Sequence, residues 1–295
     1  MRAFSGTGIY HVVPAHVPNV CIAVIGGADP GRNGAPIVAL DATGNLFDQM
    51  WLIEPAPEEA GMYYTMRNLS TGLYAGVYQG NVADGTFVVG YKSVYNDCVK
   101  WIIHDEETDG TGWKIQNKGC QTFMDLLQGG GNGTHIVGWT GETGQDSGAS
   151  HQHWLFEKLS QTSDDVHAAL SKSPSLRQDF QSYLEDGLYL VLSRETMIQI
   201  WRDCGVGNNP WRDSIFDCDD FATIYKAEVS KWGNRTFKAG GFAVLCGIMF
   251  GSNQEDSHAY NWTLNPSDLS RVLYFEPQEG SFSSDPGYQA YMGIF

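Results

Sequence analysis

Over the first half of the chain, apolar residues come in short runs broken by Gly, Asn and Asp, with no recurrence at helical spacing. Three stretches align with one another: "APIVALD" then "DQMWLIEP", "GTFVVGYK" then "NDCVKWII", and "GTHIVGWT" then "HQHWLFEK". Their anchoring tryptophans are Trp51, Trp101 and Trp154, which sets the steps at 50 (101 − 51) and 53 (154 − 101). A repeat of that size made of short runs and turn residues predicts about four strands per unit. Three such units would close into one all-β body. Each would supply a third of a shared core, with the tryptophans inside it. "Q-x-W" is complete at Gln49–Trp51 and Gln152–Trp154, whereas the middle copy reads Val99-Lys100-Trp101.

After Lys158 the pattern changes. Ser and Asp starts, a Gly stop and apolar residues at helical spacing predict helices from Thr162 to about Ser171 and from Ser175 to about Glu185. "LYLVL" (188–192) and "RVLYFEP" (271–277) read as strands, and "SRETMIQIWRDCG" as a helix that Gly205 ends. In "CDDFATIYKAEVSKW", Cys218, Phe221, Ala222, Tyr225, Val229 and Trp232 fall on one face of a helix. The predicted fold class is therefore multidomain: an all-β body of three repeats over residues 1–158, then an α+β domain over 159–295. "EKLSQTSDD" is the boundary.

Length and charge narrow the classes of partner. At 295 residues, two domains are expected. A formal net charge of -16 argues against nucleic acid and anionic membranes, both of which attract basic patches. "FAVLCGIMF" (242–250), the longest apolar run, is too short to span a bilayer. The start, "MRAFSGTGIYHVV", lacks a basic region followed by an apolar core, so a cytoplasmic protein is expected, reaching outside ligands on tissue damage. Six irregularly spaced cysteines without C-x-x-C then read as free thiols.

Candidate chemistry gathers around Cys218. It heads the buried stripe of its helix, where backbone N–H groups favour a thiolate. Cys204 at a helix C-terminus and Cys246 in an apolar run fit a nucleophile less well. Only His167 and His258 lie beyond residue 160, and His167 sits among acids and alanines on an early helix. A Cys–His pair in this half is best drawn as Cys218 with His258, and Glu276 in "YFEPQ" is the natural group to orient the imidazole. A buried cysteine and a structural histidine remain the commoner reading of such residues. Asp217, Asp219 and Asp220 surround the thiol with negative charge, which disfavours the thiolate. Asp219 and Asp220 are either ordinary first-turn acids or hard oxygen donors to a divalent cation that neutralises them, with Gln278 pointing the same way as Glu276 along its strand. A glycosidase is disfavoured, because its paired carboxylates should flank a cleft and these acids cluster around a thiol.

Two resemblances bear on these alternatives. The three tryptophan-anchored repeats resemble the ricin-B-type β-trefoil lectins over roughly residues 1–158. In that family a repeat binds sugar through an aspartate after its second strand, an aromatic ring about fourteen residues later, and a polar pair before the Q-x-W tryptophan. The third repeat has the whole set, Asp125, Trp139, His151 and Gln152. The second has Gly76 in place of the acid, with Tyr91 and Asp97 as ring and polar partner. The first has Ala23 and Leu40 where acid and ring belong. Further on, "SLRQDFQSYLEDGLYLVL", "PWRDSIFDCDDFA", "FKAGGFAVLCGIMFG", "HAYNW" and "YFEPQEG" resemble the C-terminal domain of the Marasmius oreades agglutinin family of mushroom lectins. That resemblance implies a papain-like, Ca²⁺-dependent cysteine peptidase domain that also forms a homodimer. Its nucleophile would be Cys218, its base His258 and its orienting acid Glu276. The partners implied are galactose-type glycans, sialylated ones included, on glycoproteins or glycolipids, and an unspecified peptide. The rival expectation is a pure agglutinating lectin whose second domain only dimerises it.

Overall fold

The computed structural model describes residues 3–25, 32–42, 47–57, 59, 61–105, 112–141, 149–183 and 186–295. It divides into two units, Met1–Lys158 with Phe237–Gly240, and Leu159–Thr236 with Gly241–Phe295. No helix among the described residues is long and apolar enough to cross a membrane.

Four strands per repeat make up the first unit. They are β1 (Gly8–Pro14), β2 (Val20–Val24), β3 (Ala35–Asp41) and β4 (Trp51–Pro55); β5 (Tyr64–Asn68), β6 (Tyr74–Val77), β7 (Thr86–Tyr91) and β8 (Trp101–Asp105); β9 (Trp113–Asn117), β10 (Phe123–Leu126), β11 (Ile136–Trp139) and β12 (Trp154–Lys158). The outer strands of each repeat pair in the ring β1–β4–β5–β8–β9–β12 and back to β1, a closed six-stranded barrel. The inner strands form the hairpins β2–β3, β6–β7 and β10–β11. Those hairpins join into a triangle through β3–β7, β7–β11 and the bridge Val38↔His135. This is a β-trefoil. Closure leaves the barrel without a free edge.

Trp51, Trp101 and Trp154 are fully buried in its core. Each indole N–H donates across its own repeat, to the carbonyls of Ile22 (2.9 Å), Ala75 (2.9 Å) and Met124 (3.0 Å). The three bonds are one feature used three times. Burying such a ring contributes roughly 4–6 kcal/mol before entropy costs, and the N–H needs an internal acceptor once water is excluded.

The second unit combines helices and sheets. Its elements are β13 (Ser160–Thr162), α1 (Ser163–Leu170), β14 (Leu176–Tyr183), β15 (Leu188–Leu190), α2 (Arg194–Cys204), α3 (Cys218–Thr236), β16 (Ala243–Val244), β17 (Gly247–Ser252), β18 (Ser257–Asn265), β19 (Asp268–Glu276), β20 (Ser281–Ser283) and β21 (Gln289–Ile294). The main sheet runs β14-β21-β17-β18-β19-β20, and β13-β15-β16 form a smaller one. Thr162 and Asp165 make a capping box that starts α1, and Gly205 ends α2 in the left-handed region at φ 65°. Alternate residues of β18 serve two cores. Tyr260, Trp262 and Leu264 pack with Val166 and Leu170 of α1, whereas Ala259 packs with Ala222 of α3 and Ile248. Asn261 fastens α3 to the sheet by donating to the carbonyls of Ala222 (2.9 Å) and Gly247 (3.1 Å).

One expected helix is corrected. Residues 176–183 form an extended edge strand, β14, parallel to β21, with Leu176↔Ala290 and Tyr183↔Ile294 paired on either side of a shift in register. The backbone bonds offered by a strand more than a hundred residues further on outweigh a weak local helical preference. Leu184 and Glu185, the end of the expected helix, lie outside the described residues.

Candidate functional site

The trefoil repeats hold their acid and ring positions at equal register. Asp125, Gly76 and Ala23 face Val137, Val89 and Val38 across their hairpins. Trp139, Tyr91 and Leu40 face Phe123, Tyr74 and Cys21. In the third repeat the set comes together. Asp125 is 4% exposed and accepts from Gln152 Nε2 at 3.2 Å, and that amide also donates to the Thr140 carbonyl at 3.0 Å. Trp139 is part-exposed at the end of β11. The His151 ring lies against Gly129, where a β-carbon would fall 2.5 Å from Nε2, so any larger residue would displace the imidazole, and the φ of 63° favours glycine there too. A fixed carboxylate, an amide, an imidazole and an open indole face provide both hydroxyl partners and a surface for an apolar sugar face.

The second repeat is built differently. A β-carbon at Gly76 would fall 2.7 Å from Val99 Cγ1 and 2.8 Å from the Cys98 carbonyl, so no acid could occupy that position. The Tyr91 hydroxyl accepts from the Gln79 N–H at 2.8 Å. Asp97 turns to Lys100 (3.1 Å) and Lys118 (3.2 Å), which also bind Glu59. The structure therefore gives Tyr91 and Asp97 partners of their own. In the first repeat Ala23 is fully buried.

In the second unit, Cys218 opens α3 and packs against Ala222, Ile248 and Ala259. His258 and Glu276 lie on the adjacent antiparallel strands β18 and β19, and His258 Nε2 meets Glu276 Oε2 at 2.6 Å. The other Glu276 oxygen accepts from the Gln278 backbone N–H at 3.0 Å. That bond, together with the β19–β20 turn, fixes the carboxylate that in turn fixes the imidazole. The Tyr288 ring lies 5.2 Å from the imidazole at 35°. Among the described residues no hydrogen bond joins Cys218 Sγ to His258. The main group favouring a thiolate there is the backbone N–H of Ala259, the residue after His258.

The Cys218 thiol is pushed up chiefly by burial, and further by the charges of Asp217 and Asp219; the N–H groups of Ala259 and Asp219 work the other way. The three carboxylates divide their roles. Asp220 Oδ2 accepts the Asp217 backbone N–H at 3.1 Å, closing the front of the helix as a cap. Asp217, Cys218 and Asp219 instead bring one oxygen, the sulfur and one oxygen within 4.8 Å of one another. Through their mutual contact the Asp217 carboxyl is held below the usual range and the Asp219 carboxyl above it. Two hard oxygens sharing excess negative charge fit a divalent cation. Asp217 and Asp219 are thus the carboxylates that stand beside the thiol, while one oxygen of Asp220 is engaged as a cap and the Gln278 backbone N–H is bonded to Glu276. The negative charge of Asp217 beside the thiol was legible in "DCDD"; the Tyr288 contact was not, because nothing local links it to "HAYN".

Comparison with known proteins agrees with both units. A family model for the ricin-type beta-trefoil lectin domain-like family matches residues 47–139, and one for the agglutinin C-terminal family matches residues 189–282. No curated protein sequence matches the chain. The solved structure of a PSL1a-E64 complex is 43% identical, with a TM-score of 0.89 over 99% of this chain and 100% of that one. The Polyporus squamosus lectin, solved bound to the human-type influenza-binding epitope Neu5Acα2-6Galβ1-4GlcNAc, is also 43% identical, with a TM-score of 0.88 over the same shares. With a β-trefoil of three tryptophan-anchored repeats, an agglutinin C-terminal unit and near-complete coverage at that identity, the chain belongs to the family of the Polyporus squamosus lectin.

Proposed function

We propose that this protein is a glycan-binding lectin for galactose-type, sialylated glycans, joined to a Ca²⁺-dependent, papain-like cysteine endopeptidase of the kind implied by the Marasmius oreades agglutinin family. The lectin reading is carried by the third repeat, where Asp125, Trp139, His151 and Gln152 occupy the acid, ring and polar-pair positions and Asp125 is held by Gln152. The epitope bound by the Polyporus squamosus lectin supports the sialylated galactose class.

The peptidase reading is carried by His258 Nε2 held at 2.6 Å by Glu276, with Cys218 at the front of α3 beside the next residue, Ala259. In the reaction, Cys218 attacks the peptide carbonyl as thiolate. His258 takes the thiol proton and delivers it to the leaving amine, while Glu276 keeps Nε2 engaged so that the other ring nitrogen serves the sulfur. Asp217 and Asp219 would hold calcium, whose charge offsets theirs beside the thiol.

Full-length protein and its Cys218→Ala variant, each with Ca²⁺ or chelator, test the reading. Iodoacetamide, and the E64 that PSL1a binds, should label Cys218 faster with Ca²⁺, and peptide cleavage should follow the labelling. Equal labelling with and without the metal, and no cleavage, would leave the pure lectin. That second reading is favoured by the missing Cys218–His258 bond and the raised thiol. Homodimerisation through the second unit would double the lectin sites and explain agglutination by avidity. Light scattering that gives a monomer at micromolar concentration removes that part.

A further inference from the structure

Each inner hairpin of the trefoil reaches into another repeat. The pairs Asn33-Gly34, Asp84-Gly85 and Asn132-Gly133 lead into β3, β7 and β11, and each Asx lies seven residues before a ring position, Leu40, Tyr91 or Trp139 (40 − 33, 91 − 84, 139 − 132). The three glycines share one backbone conformation, at φ 83°, 81° and 83°. Their N–H groups donate to the carbonyls of Gly90 (2.8 Å), Gly138 (3.0 Å) and Ala39 (2.8 Å), the residues just before Tyr91, Trp139 and Leu40. The side-chain oxygens of Asn33, Asp84 and Asn132 accept from the N–H groups of Lys92 (2.7 Å), Thr140 (2.6 Å) and Asp41 (3.2 Å), the residues just after. Every ring position is therefore held on both sides by a turn from a different repeat.

The hold on Trp139 differs from the other two. Asp84 is the one carboxylate of the three, and its Oδ1 takes a second bond, from Thr140 Oγ1 at 2.9 Å. Hydrogen bonds to an ionised acceptor are the stronger kind. Gly85 lies against the indole, since a β-carbon there would sit 3.7 Å from Trp139 Cζ3. The Thr140 carbonyl in turn accepts from Gln152 Nε2 at 3.0 Å, and the same amide donates to Asp125 at 3.2 Å. A chain of contacts thus runs from Asp84 through Thr140 and Gln152 to the acid of the third repeat. The other two turns hold Tyr91 and Leu40, in repeats with Gly76 and Ala23 at the acid position.

We propose that Asp84, in the second repeat, is a positioning residue for the glycan site of the third. It holds Thr140 so that the Trp139 ring and the Gln152 amide stand in their binding geometry before a sugar arrives. Side chains fixed in advance lose less entropy on complex formation, which raises affinity without any contact from Asp84 to the ligand. The inference rests on the reading of the third repeat as the sugar site.

The test uses the full chain labelled with fluorotryptophan for ¹⁹F NMR, its Trp139 signal assigned through Trp139→Phe. The probes are Neu5Acα2-6Galβ1-4GlcNAc and lactose. The wild-type Trp139 signal should move on binding. Asp84 is exposed, so its replacement leaves the core packing alone. Asp84→Ala should weaken binding about tenfold, by freeing two side chains that the sugar must then order, and should shift or broaden the Trp139 signal before any sugar is added. Asp84→Asn keeps an acceptor oxygen and should recover most of the affinity. Asn33→Ala breaks the equivalent bond at Lys92 and controls for general loosening of the trefoil: its unfolding temperature should drop as far as that of Asp84→Ala, with affinity near wild type. Near wild-type binding by Asp84→Ala, an equal loss in Asn33→Ala, or an Asp84→Asn protein as weak as Asp84→Ala would each overturn the inference while the third-repeat site stands. A wild-type Trp139 signal that answers neither sugar removes the third-repeat site, and the inference with it.

Discussion

Replacing Asp125 tests whether the third repeat is the sugar site. The carboxylate is almost fully buried, with one oxygen holding Gln152 Nε2 at 3.2 Å. A hydrogen bond from a sugar hydroxyl to a charged acceptor is worth about 1.5–3 kcal/mol, a factor of about 10 to 150 in Kd. Asp125→Asn keeps the volume and one acceptor oxygen but loses the charge, so its loss should fall near tenfold. Asp125→Ala removes the acceptor altogether and should lose about a hundredfold. Gln152 keeps its bond to the Thr140 carbonyl in either variant, which holds the loop before Trp154 in place. Calorimetric titration of the full chain with Neu5Acα2-6Galβ1-4GlcNAc reads the affinity, and thermal unfolding checks that the trefoil survives. Binding by a folded Asp125→Ala protein within twofold of wild type would refute the reasoning. It would move the site out of the third repeat.

Trp154→Phe should destabilise the first unit by about 2–4 kcal/mol, since it leaves the Met124 carbonyl without its N–H and opens a small cavity. Trp51→Phe and Trp101→Phe should cost the same within error in denaturant titrations, because all three bonds are equivalent. Asp219→Asn should weaken the calcium dependence of thiol labelling. Asp220→Ala should leave that dependence in place and instead cost about 1 kcal/mol of stability as a lost cap. Asp48 supplies a pH test. Burial raises its carboxyl above the unfolded value of about 3.9. The native state therefore binds more protons across that window, and stability falls as pH rises through it. Asp48→Asn should flatten the fall of unfolding temperature as pH rises above the ordinary carboxylate value, and an unchanged slope would contradict the assignment.

The three-part trefoil was legible because its signals are local and repeated. Each tryptophan closes a bond inside its own repeat, so steps of 50 and 53 residues recur in the sequence as they do in space. The acid-to-ring spacing of 125 to 139 survives because a two-stranded hairpin fixes it by register. Cys218 at the front of a helix could be read from one apolar stripe. Elsewhere the deciding contacts come from far along the chain. Leu176–Tyr183 became a strand because β21 presented an edge to it. Gly76 cannot host an acid because Val99 and the Cys98 carbonyl, more than twenty residues later, fill the space. Among the three aspartates around Cys218, only backbone geometry determines that Asp220 caps the helix while Asp217 and Asp219 meet beside the thiol. Local pattern reports which side chains share a face; packing of distant segments determines which of them meet.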